Sequence, residues 1–270
     1  MANSLESAIG APGQVILRYF YNLFDFLGDA VMVAWKAIRY IFAGDFSAKD
    51  TVNQMAVIGV NSIPIVLVTT AFSGAVFALY TAQLFVAYGA GSLVGGGITL
   101  SISRELAPVL TAIVVAARAG SAIAAEIGTM KVTEQIDALR SLGTSPIQYL
   151  VAPRLLALTV MLPVLTMLGM VIGSYGGYLV AMSNGVTAAS FLSSTRVWLS
   201  LHDVLMGLLK TVFFGAFIAV VGCQQGLSAR GGAAGVGQKT MSSVVIAMIL
   251  IYISNYFLAS VMFGGAVSTY

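Results

Sequence analysis

Long hydrophobic stretches separated by short polar connections predict helices that cross a membrane. Apolar residues dominate five segments, which are residues 52–86, 98–127, 150–182, 204–224 and 241–263. Each segment is long enough to cross a bilayer, for which about 20 apolar residues suffice. Pro64 interrupts the first segment, so its helix is expected to break near this residue. The pattern therefore predicts an all-α integral membrane protein with five transmembrane helices.

An amphipathic helix is predicted before the first span, over residues 14–42. Polar residues recur there every three, four or seven positions and form one stripe: Arg18, Asn22, Asp25, Asp29, Lys36 and Arg39. Aromatic and aliphatic residues cover the remaining surface, which is typical of a helix lying among lipid headgroups. A tilted spanning helix with its polar stripe buried in protein is the alternative interpretation.

Composition indicates the class of protein, and the distribution of basic residues predicts the orientation of the chain in the membrane. A soluble domain carries roughly 25% charged residues, whereas this chain has 9% charged and 59% hydrophobic residues. Its single cysteine, Cys223, excludes an internal disulfide. Basic residues concentrate on one side, which we assign to the cytoplasm: Arg18, Lys36, Arg39, Lys49, Lys131, Arg140, Arg154, Arg230 and Lys239. Because only Arg196 falls on the other side, the N-terminus is predicted inside and the C-terminus, Tyr270, outside.

Four ionisable residues lie within the second span: Arg104, Glu105, Arg118 and Glu126. Charges at membrane depth are costly, so they normally face a protein interior or a polar cavity. For Arg104 and Glu105 the pattern leaves two roles open, a site facing a cavity or charge pairing that anchors the helix bundle. Arg118 and Glu126 are expected to form a structural ion pair or to extend toward the interface.

Small residues recur every fourth position in two of the spans. They are Ala112, Ala116, Gly120, Ala124 and Gly128 in the second span, and Gly169, Gly173 and Gly177 in the third. Such faces allow another helix to approach closely. Both are therefore predicted to be helix-packing surfaces.

A short polar helix is predicted over residues 130–143, between the second and third spans. Gly128 and Gly143 bracket it, and Thr129 is a candidate N-cap. Val132, Ile136 and Leu139 form a narrow apolar stripe on it. Such a helix suits contact with a soluble partner, or it lies on the lipid surface.

Two stretches look like binding motifs but do not predict a nucleotide or metal site. The stretch GGAAGVGQKT has Gln238 where a P-loop requires lysine, and no strand precedes it, so we expect no ATP site on this chain. His202 lies beside Asp203 but has no second histidine or cysteine nearby, so a zinc site is not predicted and His202 is expected at the membrane interface. No enzymatic unit and no nucleic-acid surface is predicted.

The stretch RELAPVLTAIVVAARAGSAIAAEIGTMKVTEQIDALRSLGTSPIQYLVAPR resembles the signature of the MlaE/YrbE family. These proteins are permease subunits of ABC transporters that work with MCE-domain lipid carriers. The resemblance implies a homodimer that joins two cytoplasmic ATPase subunits, which bind ATP and Mg, while an MCE-domain protein covers the outer face. The implied substrate is phospholipid or a similar lipid.

The resemblance also implies roles for individual residues. Arg104 and Glu105 would border the lipid pocket, and an apolar face would line its acyl region: Phe77, Phe85, Tyr88 and Leu106. The helix over 130–143 would couple to the ATPase. Its apolar stripe would be buried there, and its polar contacts would come from Glu134, Asp137 and Arg140.

Two other classes of protein remain open from the residues. An ion-coupled secondary transporter would use Glu105 and Glu126, but such transporters usually contain an internal repeat, which is not found here. A non-transporting assembly factor would explain the small-residue faces but not the charges within a span. The chain start resembles neither a signal peptide nor a transit peptide, which favours a bacterial inner membrane.

Overall fold

The computed structural model describes residues 11–264, and no strand occurs between these residues. The α-helices are α1 (Ala11–Phe42), α2 (Ala48–Val60), α3 (Ile63–Ala87), α4 (Val94–Ser101), α5 (Ala107–Val115), α6 (Ser121–Val132), α7 (Gln135–Ser141), α8 (Ala152–Ser183), α9 (Ala188–Trp198), α10 (Leu201–Leu227) and α11 (Gly232–Phe263). Five helical segments are long and apolar enough to cross a membrane: Ala48–Ala87, Gly91–Val132, Ile147–Ser183, Leu201–Leu227 and Gly232–Phe263. The predicted all-α membrane fold with five candidate spans is confirmed. The predicted position of Tyr270 lies outside the described residues.

The first span is broken where the sequence predicts it. α2 ends at Val60 and α3 begins at Ile63, with Pro64 in its first turn, where a missing backbone N–H costs no helical hydrogen bond. The Ser62 hydroxyl donates to the Ile58 carbonyl oxygen at 2.6 Å, so it meets one of the carbonyl groups left free at the end of α2.

The second span is nearly continuous and contains two π-helical turns, Ile102–Leu106 and Ala116–Gly120. Each turn carries an arginine at its third position, Arg104 or Arg118. Because π turns widen the helix locally and often occur at functional sites, they indicate Arg104 and Arg118 as candidate functional residues.

Several predicted boundaries are wrong. The connection before the fourth span contains α9, and α10 begins at Leu201 rather than at residue 204. The glycine-rich stretch before the fifth span is the beginning of α11, which starts at Gly232 rather than at residue 241. Gly95 and Gly96, which precede the predicted start of the second span at residue 98, lie in α4, where α9 packs so closely that a side chain would overlap Phe191 and Trp198. These glycines serve helix packing rather than a turn.

Helix α8 is at the centre of the bundle and packs on α2, α3, α5 and α10. Its Gly173 and Gly177 lie against Thr70, Gly74 and Ile98. Gly120 and Gly128 of the second span pack on Ile218 of α10 and on Val236 of α11. The structure therefore places both small-residue faces at contacts within one chain, including the fully buried Ala112, Ala116 and Ala124 and the buried Gly169.

Candidate functional site

Arg104 forms an ion pair with the first turn of α10. Its Nε donates to Asp203 Oδ1 at 2.8 Å, and its Nη2 lies 2.6 Å from the same oxygen. Asp203 Oδ2 accepts from the backbone N–H and the hydroxyl of Ser200, which caps α10. The Asp203 side chain is 2% exposed, whereas that of Arg104 is 25% exposed. The carboxylate is therefore fixed by four donors, and one side of the guanidinium stays accessible.

Glu105 forms a second ion pair with the same helix. Lys210 Nζ donates to Glu105 Oε1 at 2.7 Å, to the Arg104 carbonyl oxygen at 3.0 Å and to Asn255 Oδ1 at 3.2 Å. Asn255 Nδ2 of α11 donates to Glu105 Oε2 at 2.9 Å. The Lys210 side chain is fully buried, whereas that of Glu105 is 42% exposed. All three donor positions of the ammonium are used.

The two ion pairs share an aromatic neighbour and one supporting helix. The Phe263 ring lies 4.7 Å from Arg104 Cζ and 5.0 Å from Lys210 Nζ, within cation–π range. Asp203 and Lys210 lie two turns apart on α10, so the adjacent Arg104 and Glu105 both reach this helix. Arg104 is thus not an isolated cation: both residues form the charge pairs with a neighbouring helix that the pattern left open, and both stay partly exposed. We call Arg104, Glu105, Asp203, Lys210 and Asn255 the charged cluster.

An apolar cluster lies in the same half of the bundle. Phe77, Phe85 and Leu106 are half-buried and pack around Ala78, Ile98 and Ile102. Tyr88, the fourth residue predicted to line the acyl region, is 81% exposed at the end of α3. The structure thus brings three of the four predicted acyl-lining residues together.

The helix predicted over 130–143 is shorter than expected, and its apolar side packs toward the core of this chain. Residues 130–132 complete α6, and α7 begins after Glu134, whose φ of 62° breaks the helix. Thr129 is not an N-cap, because it lies within α6 and its hydroxyl donates to Ala125. Ile136 is fully buried and Leu139 packs on the core, so the apolar stripe is used inside this chain, with Val132 half-buried beside it. A contact of Ile136 with an ATPase is therefore excluded, whereas the contact of the partly exposed Val132 and Leu139 with an ATPase stays a prediction.

The outward face of α7 is polar. Asp137 is held by Lys131 and Arg140, each at 3.1 Å, and Glu134 is exposed. Leu142 follows the helix and is 79% exposed.

Comparison with known proteins identifies the family. The family model described as Permease MlaE matches residues 51–261 of the chain. The chain belongs to the MlaE permease family. A probable ABC transporter permease of Synechocystis sp. is 44% identical over 247 residues, covering 91% of this chain and 94% of that protein. A probable ABC transporter permease of Rickettsia typhi is 46% identical over 238 residues, covering 88% and 92%.

A plant relative extends the comparison. The protein trigalactosyldiacylglycerol 1, chloroplastic, of Arabidopsis thaliana is 37% identical over 236 residues, covering 87% of this chain and 67% of that protein. The chain is thus a multi-pass membrane permease, and an ABC transporter permease implies an ATPase partner. Permeases of this family are transport subunits rather than enzymes.

Arg118 and Glu126 of this MlaE permease do not pair with each other. Arg118 Nη1 donates to the Ser62 hydroxyl at 3.0 Å, at the break between α2 and α3. Glu126 Oε1 lies 2.8 Å from Nη2 of Arg154 in α8. Because the partners come from other helices, spacing along the second span could not reveal them.

Three members of the charged cluster were missed by sequence reasoning. Asp203 is buried, although its neighbour His202 is exposed as predicted. Lys210 and Asn255 lie inside apolar segments, and the cost of polar groups at membrane depth, which singled out Arg104, applies equally to them. That signal is the one that could have found them.

Proposed function

We propose that this MlaE permease moves phospholipid or a similar lipid between a bacterial inner membrane and an MCE-domain carrier. The observation that carries the proposal is the exposed side of the charged cluster beside apolar residues. Arg104 and Glu105 remain partly exposed although their partners are buried. Ionised groups at membrane depth are tolerated where they face a polar cavity or a charged ligand, and a lipid headgroup above acyl chains supplies both surfaces.

Arginine suits a phosphate headgroup because its planar guanidinium donates several hydrogen bonds in a fixed geometry. Arg104 uses Nε and one Nη2 hydrogen on Asp203, and its Nη1 has no hydrogen-bond partner among residues 11–264. Phe77, Phe85 and Leu106 would contact the acyl chains. The name of the Arabidopsis relative contains a glycerolipid, which supports a lipid substrate.

The proposed transporter contains two copies of this chain and two ATPase subunits. α11 is the least buried of the five spans, and one of its sides exposes Val245, Ile249, Tyr252 and Tyr256. A second copy packing there would place two charged clusters near one shared cavity. ATP and Mg would bind to the ATPase, α7 would lie in the cytoplasm, and an MCE-domain protein would contact the opposite face.

The ion-coupled alternative gains no support from the structure. Glu105 and Glu126, the carboxylates that it would use, are held by Lys210 and Arg154. Copurification of an ATPase, and stimulation of its activity by lipid, would separate the two functions.

Replacing Arg104 with alanine should lower the amount of lipid bound per folded complex. Loss of charge-assisted hydrogen bonds to phosphate should weaken binding about tenfold or more. Arg104→Lys should recover part of the binding, and Arg104→Glu should be the weakest variant. Lipid extracted from the purified complex, normalised to folded protein, is the measurement.

Asp203→Asn is the matched control, because it weakens the same ion pair but keeps the arginine. It should lower thermal stability and retain lipid. If lipid per folded complex stays at the wild-type value in all three Arg104 variants, Arg104 is only a structural anchor.

The ATPase is expected to contact the outward face of α7. Leu142→Asp should reduce ATPase copurification while the permease remains folded, because Leu142 is exposed. Ile136→Asp should instead unfold or aggregate the permease, because it places a charge in an apolar core. Size-exclusion profiles and pull-downs of both variants test this, and an unchanged complex for Leu142→Asp would argue against this docking face.

A further inference from the structure

A second candidate site lies at the α7 end of the bundle, away from the charged cluster. A half-open cavity of about 330 Å³ is lined by α2, α6 and the beginning of the third span. Its polar lining includes Asp50, Glu126, Tyr149 and Arg154. The volume is within the range of small-ligand sites. Because α2 begins at Ala48, α6 ends at Val132 and α8 begins at Ala152, the cavity lies at the ends of three candidate spans.

Arg154 provides a buried cation in this cavity. Its side chain is 4% exposed, its Nη2 lies 2.8 Å from Glu126 Oε1, and its Nη1 donates to the Leu150 carbonyl oxygen at 2.9 Å. Nε is buried and has no hydrogen-bond partner among the described residues. A buried N–H without an acceptor is costly. The guanidinium is thus held by two contacts and has N–H groups left for a ligand oxygen, the buried Nε among them.

The carboxylates of the cavity have oxygens that accept no hydrogen bond from the part of the chain that the structure describes. Neither the Asp50 carboxylate nor Glu126 Oε2 accepts a hydrogen bond from a residue in the range 11–264. Two carboxylates and one guanidinium give the cavity a formal charge of −1. It therefore favours a ligand with an ammonium group that donates to the carboxylates, together with an anionic oxygen for Arg154.

We propose that this cavity binds the headgroup of an amine-bearing phospholipid from the leaflet on the α7 side. The ammonium lies between Asp50 and Glu126, and the phosphate faces Arg154. Met130, Leu150 and Pro153 provide an apolar rim for the first acyl carbons. A basic side chain of a partner protein would pair with the carboxylates but would give Arg154 Nε no acceptor. A lipid headgroup offers both an ammonium and a phosphate, so it would pair more of the polar groups in the cavity. This site does not require that lipid is the transported substrate.

Site-specific photo-crosslinking tests the proposal in the full-length protein. A photo-crosslinking amino acid at Tyr149, which lies on the rim and is half exposed, would report the bound lipid by mass spectrometry of the adduct. The protein is placed in bilayers of phosphatidylethanolamine, phosphatidylcholine and phosphatidylglycerol in equal amounts. Choline has no N–H donor and glycerol has no cation, so the ethanolamine lipid should be labelled about tenfold more than either.

Asp50→Asn should remove this preference, because it deletes a charge without changing the shape of the side chain. Asp29→Asn, which makes the same change on an exposed position of α1, is the matched control and should keep the preference. Glu126→Gln is the second variant, and a folded, monodisperse sample is required because it also weakens the Arg154 ion pair. Arg104→Ala should leave labelling at Tyr149 unchanged even where it lowers total bound lipid.

Three results would overturn the proposal. Equal labelling of the three lipids would show a nonspecific annular contact. A preference that survives Asp50→Asn, accompanied by lower ATPase copurification, would show that the cavity receives a basic side chain of the ATPase. Loss of the preference in Arg104→Ala would show that the labelled lipid belongs to the site at the charged cluster.

Discussion

Lys210→Ala is expected to lower the free energy of unfolding by about 2–5 kcal/mol, the usual cost of truncating a large buried side chain to alanine. The Lys210 side chain is fully buried, and its ammonium donates to Glu105, Asn255 and the Arg104 carbonyl oxygen. The change leaves these acceptors without their donor and creates a cavity beside Phe263. A lower thermal midpoint in detergent, with less folded protein recovered, is the measurement.

Two variants separate this effect from a general loss of lysine. Lys49→Ala removes an exposed lysine at the beginning of α2 and should leave the midpoint nearly unchanged. Lys210→Met combined with Glu105→Gln should recover much of the stability, because it removes both charges and keeps most of the volume. If Lys49→Ala and Lys210→Ala lower the midpoint equally, the charged cluster does not stabilise the fold.

The charged cluster joins three helical segments that meet only in the folded chain. Arg104 and Glu105 lie on a π turn, Asp203 and Lys210 on α10, and Asn255 on α11. If a lipid binds at the exposed side of Arg104 or Glu105, as proposed, its contacts would bear on residues that join these segments. Lipid binding would then be coupled to the relative position of the helices.

The number and approximate positions of the candidate spans were predictable because apolar length is a local property. Each span, and the break before Pro64, follows from the residues in one stretch of chain. Gly95 and Gly96 fell outside the predicted second span because a glycine needed for close packing has the same local pattern as a turn glycine.

The charged partners and the orientation of α7 were not predictable for a different reason. Arg104 and Asp203 are 99 positions apart, so their contact depends on how α10 crosses the second span. The stripe of Ile136 and Leu139 shows that one face is buried but not which surface covers it. Only tertiary packing distinguishes the chain's own core from a partner.

Gly74→Ala should be one of the most damaging single-methyl changes in the bundle. A Cβ atom at Gly74 of α3 would overlap the carbonyl oxygen of Gly173 in α8, and backbone atoms of a packed helix cannot move aside as a flexible side chain can. The two helices would have to separate along a contact that includes Thr70 and Gly177. We expect a loss of more than about 3 kcal/mol, or no folded protein.

Graded variants show whether close backbone packing is the cause. At Gly173 a Cβ atom would lie 3.2 Å from the Thr70 carbonyl oxygen, so Gly173→Ala should cost less than Gly74→Ala, and Gly173→Leu should cost more than Gly173→Ala. Gly237 lies within α11 with nothing within 4 Å of its added Cβ, so Gly237→Ala should be neutral or stabilising by up to about 1 kcal/mol. A wild-type thermal midpoint for Gly74→Ala would mean that α3 and α8 are not in backbone contact, since no rotamer change can relieve that overlap.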